Sequence, residues 1–447
     1  MSRFVRASKV RHVYANNPKK EHCYTGFRLS TASGDHQYIK ANSKYMAFGV
    51  SQGGSLAVFE MDRDNMRLGP GVVPVIDGHD GPVLDFDWNP FHTNLITTGG
   101  DDCVAKVWGI PPEGLKESIS DSLCDLNGHM KKVTVVTHHP TVNFVCATGS
   151  QDKTVKLWDL EQGDEKCTIT TDGPVYGVSW STHGELLGVT SKDKQVRLID
   201  ARVGEVVAQH EAHEGTKTQK ITFCNGFPGA GGEAICTTGF TKQSKRQFKL
   251  FDMRKLGSGE YASHNIDQGA GVIIPFFDEG TNMLYLCGKG DANIRMVELV
   301  NEDPWQFSIG EYKGKDPCRG VCMVPKRVMD TSICEVARVL KLCKDKIEVL
   351  RFICPRKAKI FQADLYPDAY AGEAVKDNAG AYFDSDTSKP FKAEVKRITM
   401  DPKKRSGAKP KPGLSAATAG GKKEDVASLK KEVARLKDLL DKNNIKY

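Results

Sequence analysis

The chain has 447 residues, and 39% of them are hydrophobic, which is enough apolar material to bury a large core. It contains no apolar run of about 18 residues, and its N-terminus lacks the apolar stretch of a signal peptide, so neither a membrane span nor a leader is predicted. The net charge of +7 is uneven, because residues 1–20 carry +6, residues 396–423 carry +8 and residues 21–395 carry −8. A mildly acidic body with two basic ends predicts contact with an acidic partner.

Seven short segments with alternating apolar positions recur at intervals of 41 to 53 residues. They are Ser55–Glu60, Val104–Gly109, Thr154–Asp159, Gln195–Asp200, Gln247–Asp252, Asn293–Glu298 and Lys346–Arg351. A four-stranded blade of a WD-repeat propeller needs about 40–45 residues plus loop insertions. The spacing therefore predicts an all-β fold, a seven-bladed β-propeller over residues 1–354. An early strand near Lys9–Tyr14 is expected to complete the last blade and close the ring.

Two repeats also have the Gly-His start and Trp ending of a complete WD blade. In each of them a histidine, a threonine, an aspartate and a tryptophan are expected to form a hydrogen-bonded structural relay. The two sets are His79, Thr98, Asp102 and Trp108, and His129, Thr148, Asp152 and Trp158. In the other blades an apolar residue replaces the tryptophan, and we expect packing without the hydrogen bonds.

The blade pattern stops at Pro355, and three further regions follow. Residues 355–395 contain several aromatic residues and are predicted to form an extension packed on the propeller. Residues 396–423 are rich in Lys, Pro, Gly, Ala and Ser, which predicts a basic flexible linker. Residues 424–447 carry a heptad typical of a short coiled coil. Its core positions are Val426, Leu429, Val433, Leu436 and Leu440. The alternative is a lone amphipathic helix docked on its own propeller.

Together these stretches resemble the coronins, which are actin-filament-binding WD-repeat proteins. Residues Ser8–Ser30 resemble the opening signature of the family, and Thr237–Asp252 resembles its variant of the fifth blade ending. Residues Pro355–Gly372 are similar to the segment that coronins place after the propeller, and a linker and short coiled coil complete the pattern. The resemblance spans the whole chain. It implies a short coronin with the same fold.

The resemblance also implies a function. Coronins bind F-actin, bundle or crosslink filaments by self-association, and modulate nucleation and turnover with the actin-related-protein nucleation complex and cofilin. A role in motility, endocytosis or phagocytosis and cytokinesis, at the cytoplasmic actin cytoskeleton and cell cortex, is implied too. An arginine of the opening signature is associated with actin contact, and here it matches Arg28. Arg11, Lys19 and Lys20 share that basic segment and are candidate contacts.

Three alternatives stay open at this stage. Arg28 could make a structural salt bridge instead of an actin contact. The linker lacks the acidic, tryptophan-bearing segment that docks on the nucleation complex, so the direct effect on nucleation is left open. The stretch from Arg435 to Leu440 resembles a trimerisation pattern, but Leu440 stands where a glutamate is expected. Valine at the first core position favours a dimer. Homodimer and homotrimer are therefore both retained.

The sequence offers little for catalysis. A zinc-protease helix requires two histidines four residues apart, but the histidines of His210–Glu214 are only three apart. His213 is therefore interpreted as a propeller loop residue. Residues His138 and His139 precede Pro140 in what is expected to be an ordinary turn. Cys318 and Cys322 do not match the usual zinc spacings, and the thirteen cysteines are expected to be reduced thiols. We therefore predict a non-enzyme with no cofactor and no metal.

Two competing functions remain. The chain could be a generic WD-repeat scaffold that holds peptides on the propeller face without affinity for actin. In the other interpretation, the basic linker binds an anionic membrane or nucleic acid electrostatically, and that contact weakens steeply with salt. The leading prediction includes no nucleic-acid partner.

Overall fold

The computed structural model describes residues 6–30, 34–50, 54–61, 73–227, 232–358 and 360–405. The chain begins with β1 (Tyr14–Ala15), a 3₁₀ helix at Lys20–His22 and β2 (Cys23–Thr25). Six four-stranded antiparallel sheets and one five-stranded sheet then make up a seven-bladed β-propeller. The predicted fold class is confirmed.

Within each blade the strands follow one another in the chain, from the central channel outward. Blade 1 contains β3 (Ile39–Ala41), β4 (Tyr45–Gly49), β5 (Leu56–Glu60) and β6 (Val75–Ile76). Blade 2 contains β7 (Val83–Trp88), β8 (Leu95–Gly100), β9 (Ala105–Gly109) and β10 (Cys124–Leu126). Blade 3 contains β11 (Val133–His138), β12 (Val145–Ser150), β13 (Thr154–Asp159) and β14 (Asp164–Thr170).

Blades 4 to 6 have the same plan. Blade 4 contains β15 (Val175–Trp180), β16 (Leu187–Ser191), β17 (Gln195–Asp200) and β18 (Glu205–Glu211). Blade 5 contains β19 (Lys220–Phe227), β20 (Gly232–Phe240), β21 (Arg246–Asp252) and β22 (Glu260–Asp267). Blade 6 contains β23 (Ile273–Asp278), β24 (Met283–Gly288), β25 (Asn293–Leu299) and β26 (Gln306–Lys313). A 3₁₀ helix at Met253–Ser258 joins β21 to β22.

Blade 7 contains β27 (Gly320–Met323), β28 (Glu335–Leu342) and β29 (Lys346–Ile353), with 3₁₀ helices at Lys326–Val328 and Thr331–Ile333. Every predicted blade ending lies on the third strand of its blade. These third strands are buried on both sides. In blade 3 all six residues of β12 and five of the six in β13 are buried, whereas β14 is mostly exposed.

The ring closes through the N-terminal segment. Tyr14 of β1 lies opposite Ile353, and Thr25 of β2 lies opposite Lys346, both in antiparallel register with β29. The outer edge of blade 7 is therefore paired by residues from the other end of the chain, as edge protection requires. The expected strand at Lys9–Tyr14 is wrong in its bounds, because only Tyr14 of it is in a strand.

The polar relay of blade 3 is a continuous chain of hydrogen bonds. Trp158 Nε1 donates to Thr148 Oγ1 over 2.8 Å. The same hydroxyl lies 2.8 Å from His129 Nε2, and His129 Nδ1 lies 2.9 Å from an Asp152 carboxylate oxygen. Because the carboxylate only accepts, His129 carries its proton on Nδ1 and accepts from Thr148 through Nε2. Blade 2 repeats this arrangement, with distances of 2.8, 2.6 and 2.8 Å, in His79, Thr98, Asp102 and Trp108.

The expectation that the other blades lack these hydrogen bonds is wrong for blade 5. His213 is fully buried there, with Nε2 2.9 Å from Thr237 Oγ1 and Nδ1 2.9 Å from the Gln247 amide nitrogen. An amide from the third strand thus supplies the contact that an aspartate makes in blades 2 and 3. Phe251 stands at the tryptophan position and is buried, so the polar link persists although that residue has no N–H donor.

We call the face with the turns between second and third strands and the connections between blades the upper face; the opposite one is the lower face. The described residues after blade 7, 354–358 and 360–405, lie on the lower face. They form β30 (Ala369–Tyr370) paired with β31 (Arg397–Ile398), α1 (Gly380–Phe383) and α2 (Pro402–Arg405). The Tyr366 hydroxyl donates to the Glu335 carbonyl over 2.9 Å, and the Tyr370 hydroxyl donates to that of Pro140 over 2.7 Å.

His139 lies in the turn between β11 and β12, as expected, whereas His138 is the last residue of β11. His139 also contacts the extension. Its ring centroid lies 4.5 Å from that of Trp180, 4.7 Å from Tyr382 and 5.8 Å from Phe391. Its Nε2 donates to the Gly184 carbonyl over 3.0 Å. Burial lowers the pKa of His139 to about 3, so the ring is neutral.

The coiled coil expected over residues 424–447 lies outside the described residues, as do residues 406–423 of the linker. The predicted core positions Val426, Leu429, Val433, Leu436 and Leu440 all belong to that segment.

We expect Thr148→Val to lower the free energy of unfolding by about 2–4 kcal/mol, because it leaves the Trp158 N–H and His129 Nε2 buried without partners. Urea denaturation of the full chain measures this difference. Thr148→Ser keeps the hydroxyl and is expected to lose much less, and Thr170→Val changes an exposed threonine as a control. Equal losses for the valine and serine variants at position 148 would contradict the relay.

Acid is expected to weaken the docking of the extension through His139. The pKa of this histidine in the folded chain lies below the ordinary value near 6.5, so its stabilising effect is complete above pH 6.5 and is lost as the pH falls toward 3. Between pH 7 and pH 5 the free energy of unfolding is expected to fall by at most about 2 kcal/mol through this histidine. His139→Gln is expected to flatten the dependence of unfolding free energy on pH by that amount, and His12→Gln, at an exposed histidine, should keep the wild-type slope.

Candidate functional site

The backbone on both sides of Arg28 is fixed against blade 1. The Phe27 ring packs on Phe48 with their centroids 4.7 Å apart. Leu29 forms an antiparallel bridge with Val50. The chain reaches this position through Gly26, whose φ of 93° lies in the region that favours glycine. Arg28 therefore projects from a rigid segment of the upper face.

The Arg28 side chain is exposed. Among the described residues, no carboxylate oxygen lies within 4.0 Å of its guanidinium group, so the salt bridge considered as an alternative is not observed there. A guanidinium group has five N–H donors in a planar fork and stays charged at every physiological pH. Its donors are thus available for a carboxylate of a partner.

The structure separates Arg28 from Arg11. Arg28 follows the strand that ends opposite Lys346, whereas Arg11 precedes the strand that begins opposite Ile353. These two positions are the ends of β29, which spans about 24 Å at roughly 3.4 Å per residue. Arg11 is half-buried and donates to the Arg6 carbonyl.

The two candidate lysines lie between these ends, in the loop that joins β1 to β2. Lys19 and Lys20 are both exposed. The Lys19 ammonium lies 3.7 Å from the Glu21 carboxylate, but both side chains are well exposed, so this pair contributes little. The predicted basic residues therefore follow the outer edge of blade 7 and do not converge on one point.

A groove of about 380 Å³ lies beside Leu29 on the upper face, and sequence reasoning did not find it. Its lining includes Lys289 from blade 6 and Arg319 from the connection into blade 7. The Lys289 ammonium lies 4.6 Å from the centroid of the Tyr38 ring, a cation–π contact. Burial lowers the pKa of Lys289 and raises that of Tyr38 to about 12. No local pattern joins these residues to Arg28, because each comes from a different blade.

The fifth blade ending has a structural role at the same side of the ring. Arg246 is buried and donates to Asp267 over 2.5 and 2.6 Å, and its guanidinium lies 2.8 Å from Asp291. Burial works against the charged form, but the hydrogen bonds that Arg246 donates to these carboxylates outweigh it and raise the pKa of Arg246. The contact ties blade 5 to the turn of blade 6 that carries Lys289.

The described part of the chain offers no set of three or more His, Cys, Asp or Glu side chains placed to hold a metal ion. All thirteen cysteines are free thiols. Burial raises the pKa of Cys318 and of Cys322 to about 12, which keeps both protonated. In the same described residues, no helix is long and apolar enough to cross a membrane.

Four family models match the chain. A domain of unknown function (DUF1899) matches residues 3–65, and a WD domain, G-beta repeat, matches residues 71–109 and 120–159. A type of WD40 repeat matches residues 347–390, and the WD40 domain of anaphase-promoting complex subunit 4 matches residues 153–226. The first match contains Arg28 and the two strands that close the ring.

Named relatives and a solved structure give the family. The chain is 37% identical over 377 residues to the coronin-like protein crn1 of Schizosaccharomyces pombe, which covers 83% of this chain and 61% of that protein. It is 36% identical over 378 residues to coronin-A of Dictyostelium discoideum, covering 83% of this chain and 82% of that protein. The crystal structure of the WD40 domain of Toxoplasma gondii coronin matches with a TM-score of 0.79 and 30% identity, covering 88% of this chain and 98% of the other. The chain therefore belongs to the coronin family.

Proposed function

We propose that this chain binds filamentous actin through the Arg28 surface, which we define as Arg28 together with the groove lined by Leu29, Lys289 and Arg319. Membership of the coronin family supports this, since the resemblance implies F-actin binding. The observation that carries the proposal is the exposed Arg28 guanidinium, held on a fixed backbone with no carboxylate within 4.0 Å among the described residues.

Charge favours this partner. Actin filaments are acidic, and the Arg28 surface offers three basic side chains from three separate parts of the ring. Complementary charges accelerate association and fix the orientation of the partner more than they add affinity. Arg28 needs no rearrangement to meet a carboxylate, because Phe27 and Leu29 already hold its backbone. Lys19 and Lys20 extend the contact along the edge of blade 7, and Arg11 is its far limit.

Filament bundling follows if the chain also associates with itself. The heptad of residues 424–447 would join two or three propellers through Val426, Leu429, Val433, Leu436 and Leu440. Linking weak sites raises overall binding strength without new contacts. We propose that the oligomer crosslinks filaments at the cytoplasmic actin cytoskeleton and cell cortex and modulates filament nucleation and turnover. The nucleation complex and cofilin are its further proposed partners, and no catalysis is involved.

Arg28→Asp is expected to weaken co-sedimentation with actin filaments by at least about tenfold, because it replaces a donor with a charge of the sign of the filament. The thermal melt should stay unchanged, since the described structure gives Arg28 no ion pair. Binding is measured by pelleting the full chain with filaments at physiological salt.

Lys116→Glu makes the same kind of charge reversal at an exposed residue of the lower face and is the matched control. It should bind like the wild-type chain. Arg11→Glu shows whether the contact extends past β29. Unchanged pelleting of Arg28→Asp, or an equal loss in Lys116→Glu, would argue against the Arg28 surface.

Leu429→Asp is expected to abolish self-association and filament bundling while a single propeller still binds, because it places a charge in the heptad core. Ser428→Asp adds the same charge at the neighbouring outward position and should keep both properties. Light scattering gives the oligomeric state, and low-speed against high-speed pelleting separates bundling from binding. If bundling persists in monomeric Leu429→Asp, crosslinking does not depend on the coiled coil.

A further inference from the structure

The upper face carries an uneven charge. Its connections in blades 3 to 5 contain eight lysines against four acidic residues, a net charge of +4. They are residues 127–132, 151–153, 171–174, 192–194, 212–219 and 241–245. The other described connections on this face carry a net charge of −3 and are residues 26–30, 34–38, 50, 54–55, 77–82, 101–104, 268–272, 289–292, 314–319 and 343–345. The excess positive charge therefore lies across the ring from Arg28. We call residues of the first set the lysine patch.

The lysine patch is presented to solvent on a fixed backbone. Seven of its eight lysines are exposed. Asp152 accepts hydrogen bonds from the amides of Met130 and Thr154, and Asp193 accepts one from the amide of Gln195, so the turns are held by their own acidic side chains. Asp193 also pairs with the buried Arg197 at 2.5 Å. Asp172 lies 3.3 Å from the same guanidinium group, so three of the four acidic residues of the patch already have partners within the propeller.

An apolar side chain lies within the lysine patch. Met130 is 85% exposed, although its own amide is hydrogen-bonded to Asp152. A flexible, polarisable methionine on a rigid turn is suited to contact an apolar residue of a partner. Lys131 follows it directly. A basic surface with one apolar contact fits an acidic protein segment that carries an apolar side chain better than it fits a partner that offers only negative charges.

The channel mouth borders the lysine patch. A cavity of about 400 Å³ there is lined by Lys132 and Lys220 and also by Asp35 and Asp101. Lys132 is paired with Asp101, whereas Lys220 has no such pair among the described residues. The Lys220 ammonium donates to the Tyr176 carbonyl over 2.8 Å, and no carboxylate of the described residues lies within 4.0 Å of it. Burial lowers the pKa of Lys220 to about 8, as expected for an ammonium group without a close carboxylate. A carboxylate entering the mouth would supply the missing partner.

We propose that the lysine patch is a second docking surface, separate from the Arg28 surface, for an acidic segment of a partner protein. Its glutamate or aspartate side chains contact the exposed lysines, one carboxylate enters the channel mouth toward Lys220, and an apolar side chain packs on Met130. A single-stranded nucleic acid is disfavoured, because the described residues of the patch offer no exposed aromatic ring on which a base could stack. This interaction goes beyond actin binding through Arg28.

The test uses the full chain and a fluorescent, glutamate-rich peptide with one central leucine, with binding measured by anisotropy at low and physiological salt. The wild-type chain should bind the peptide, more weakly as salt rises. The double variant Lys131→Glu/Lys192→Glu should lose at least about tenfold in affinity. The variant Lys116→Glu/Lys255→Glu makes the same change in charge at exposed lysines of the lower face and should bind like the wild type.

Three controls decide the specificity. A peptide with glutamine for glutamate should not bind, and a single-stranded RNA of equal charge should bind more weakly than the acidic peptide. Arg28→Asp should bind the peptide like the wild type, which keeps this result distinct from the actin experiment. Equal binding by the two double variants, equal binding of the glutamine peptide, or tighter binding of the RNA would each overturn the proposal.

Discussion

The pairing of β29 with the N-terminal segment is the constraint on which the rest of the molecule depends. Thr25 lies opposite Lys346, so the N-terminal segment completes the blade that the last three propeller strands begin. An unpaired outer edge on blade 7 would expose its N–H and C=O groups to other chains. The same pairing carries the chain past Gly26 to the upper face, where Leu29 bridges to Val50. The same N-terminal segment therefore completes blade 7 and positions Arg28.

Inside the blades, one polar connection is made in different ways. Blades 2 and 3 use a tryptophan, a threonine, a histidine and an aspartate, and each hydrogen bond polarises the next. Blade 5 keeps the histidine and threonine but substitutes Gln247 for the aspartate. Arg246, the residue before it, reaches two carboxylates and joins blades 5 and 6. The departure of this blade from the repeat thus has a packing reason and lies beside the turn that carries Lys289.

The two faces of the propeller have different chemistry. The C-terminal extension packs on part of the lower face, where aromatic rings surround a neutral, buried His139. These contacts stabilise the docking of the extension on the propeller. The upper face keeps its basic side chains in solvent, at Arg28 on one side and in the lysine patch on the other. At the upper face these exposed charges can orient an approaching partner.

The sequence alone determined the features that repeat within a single blade. The third strands alternate visibly and recur seven times, and the relay from His129 to Trp158 spans one blade, so spacing was enough to predict both. Tertiary structure decided what joins different blades. It placed Arg28 and Arg11 at opposite ends of β29, buried His139 under the extension, and brought Lys289 into one groove with Leu29, the neighbour of Arg28 in the chain. Periodicity reports which side of a strand is buried, whereas these contacts depend on how the blades are arranged around the ring.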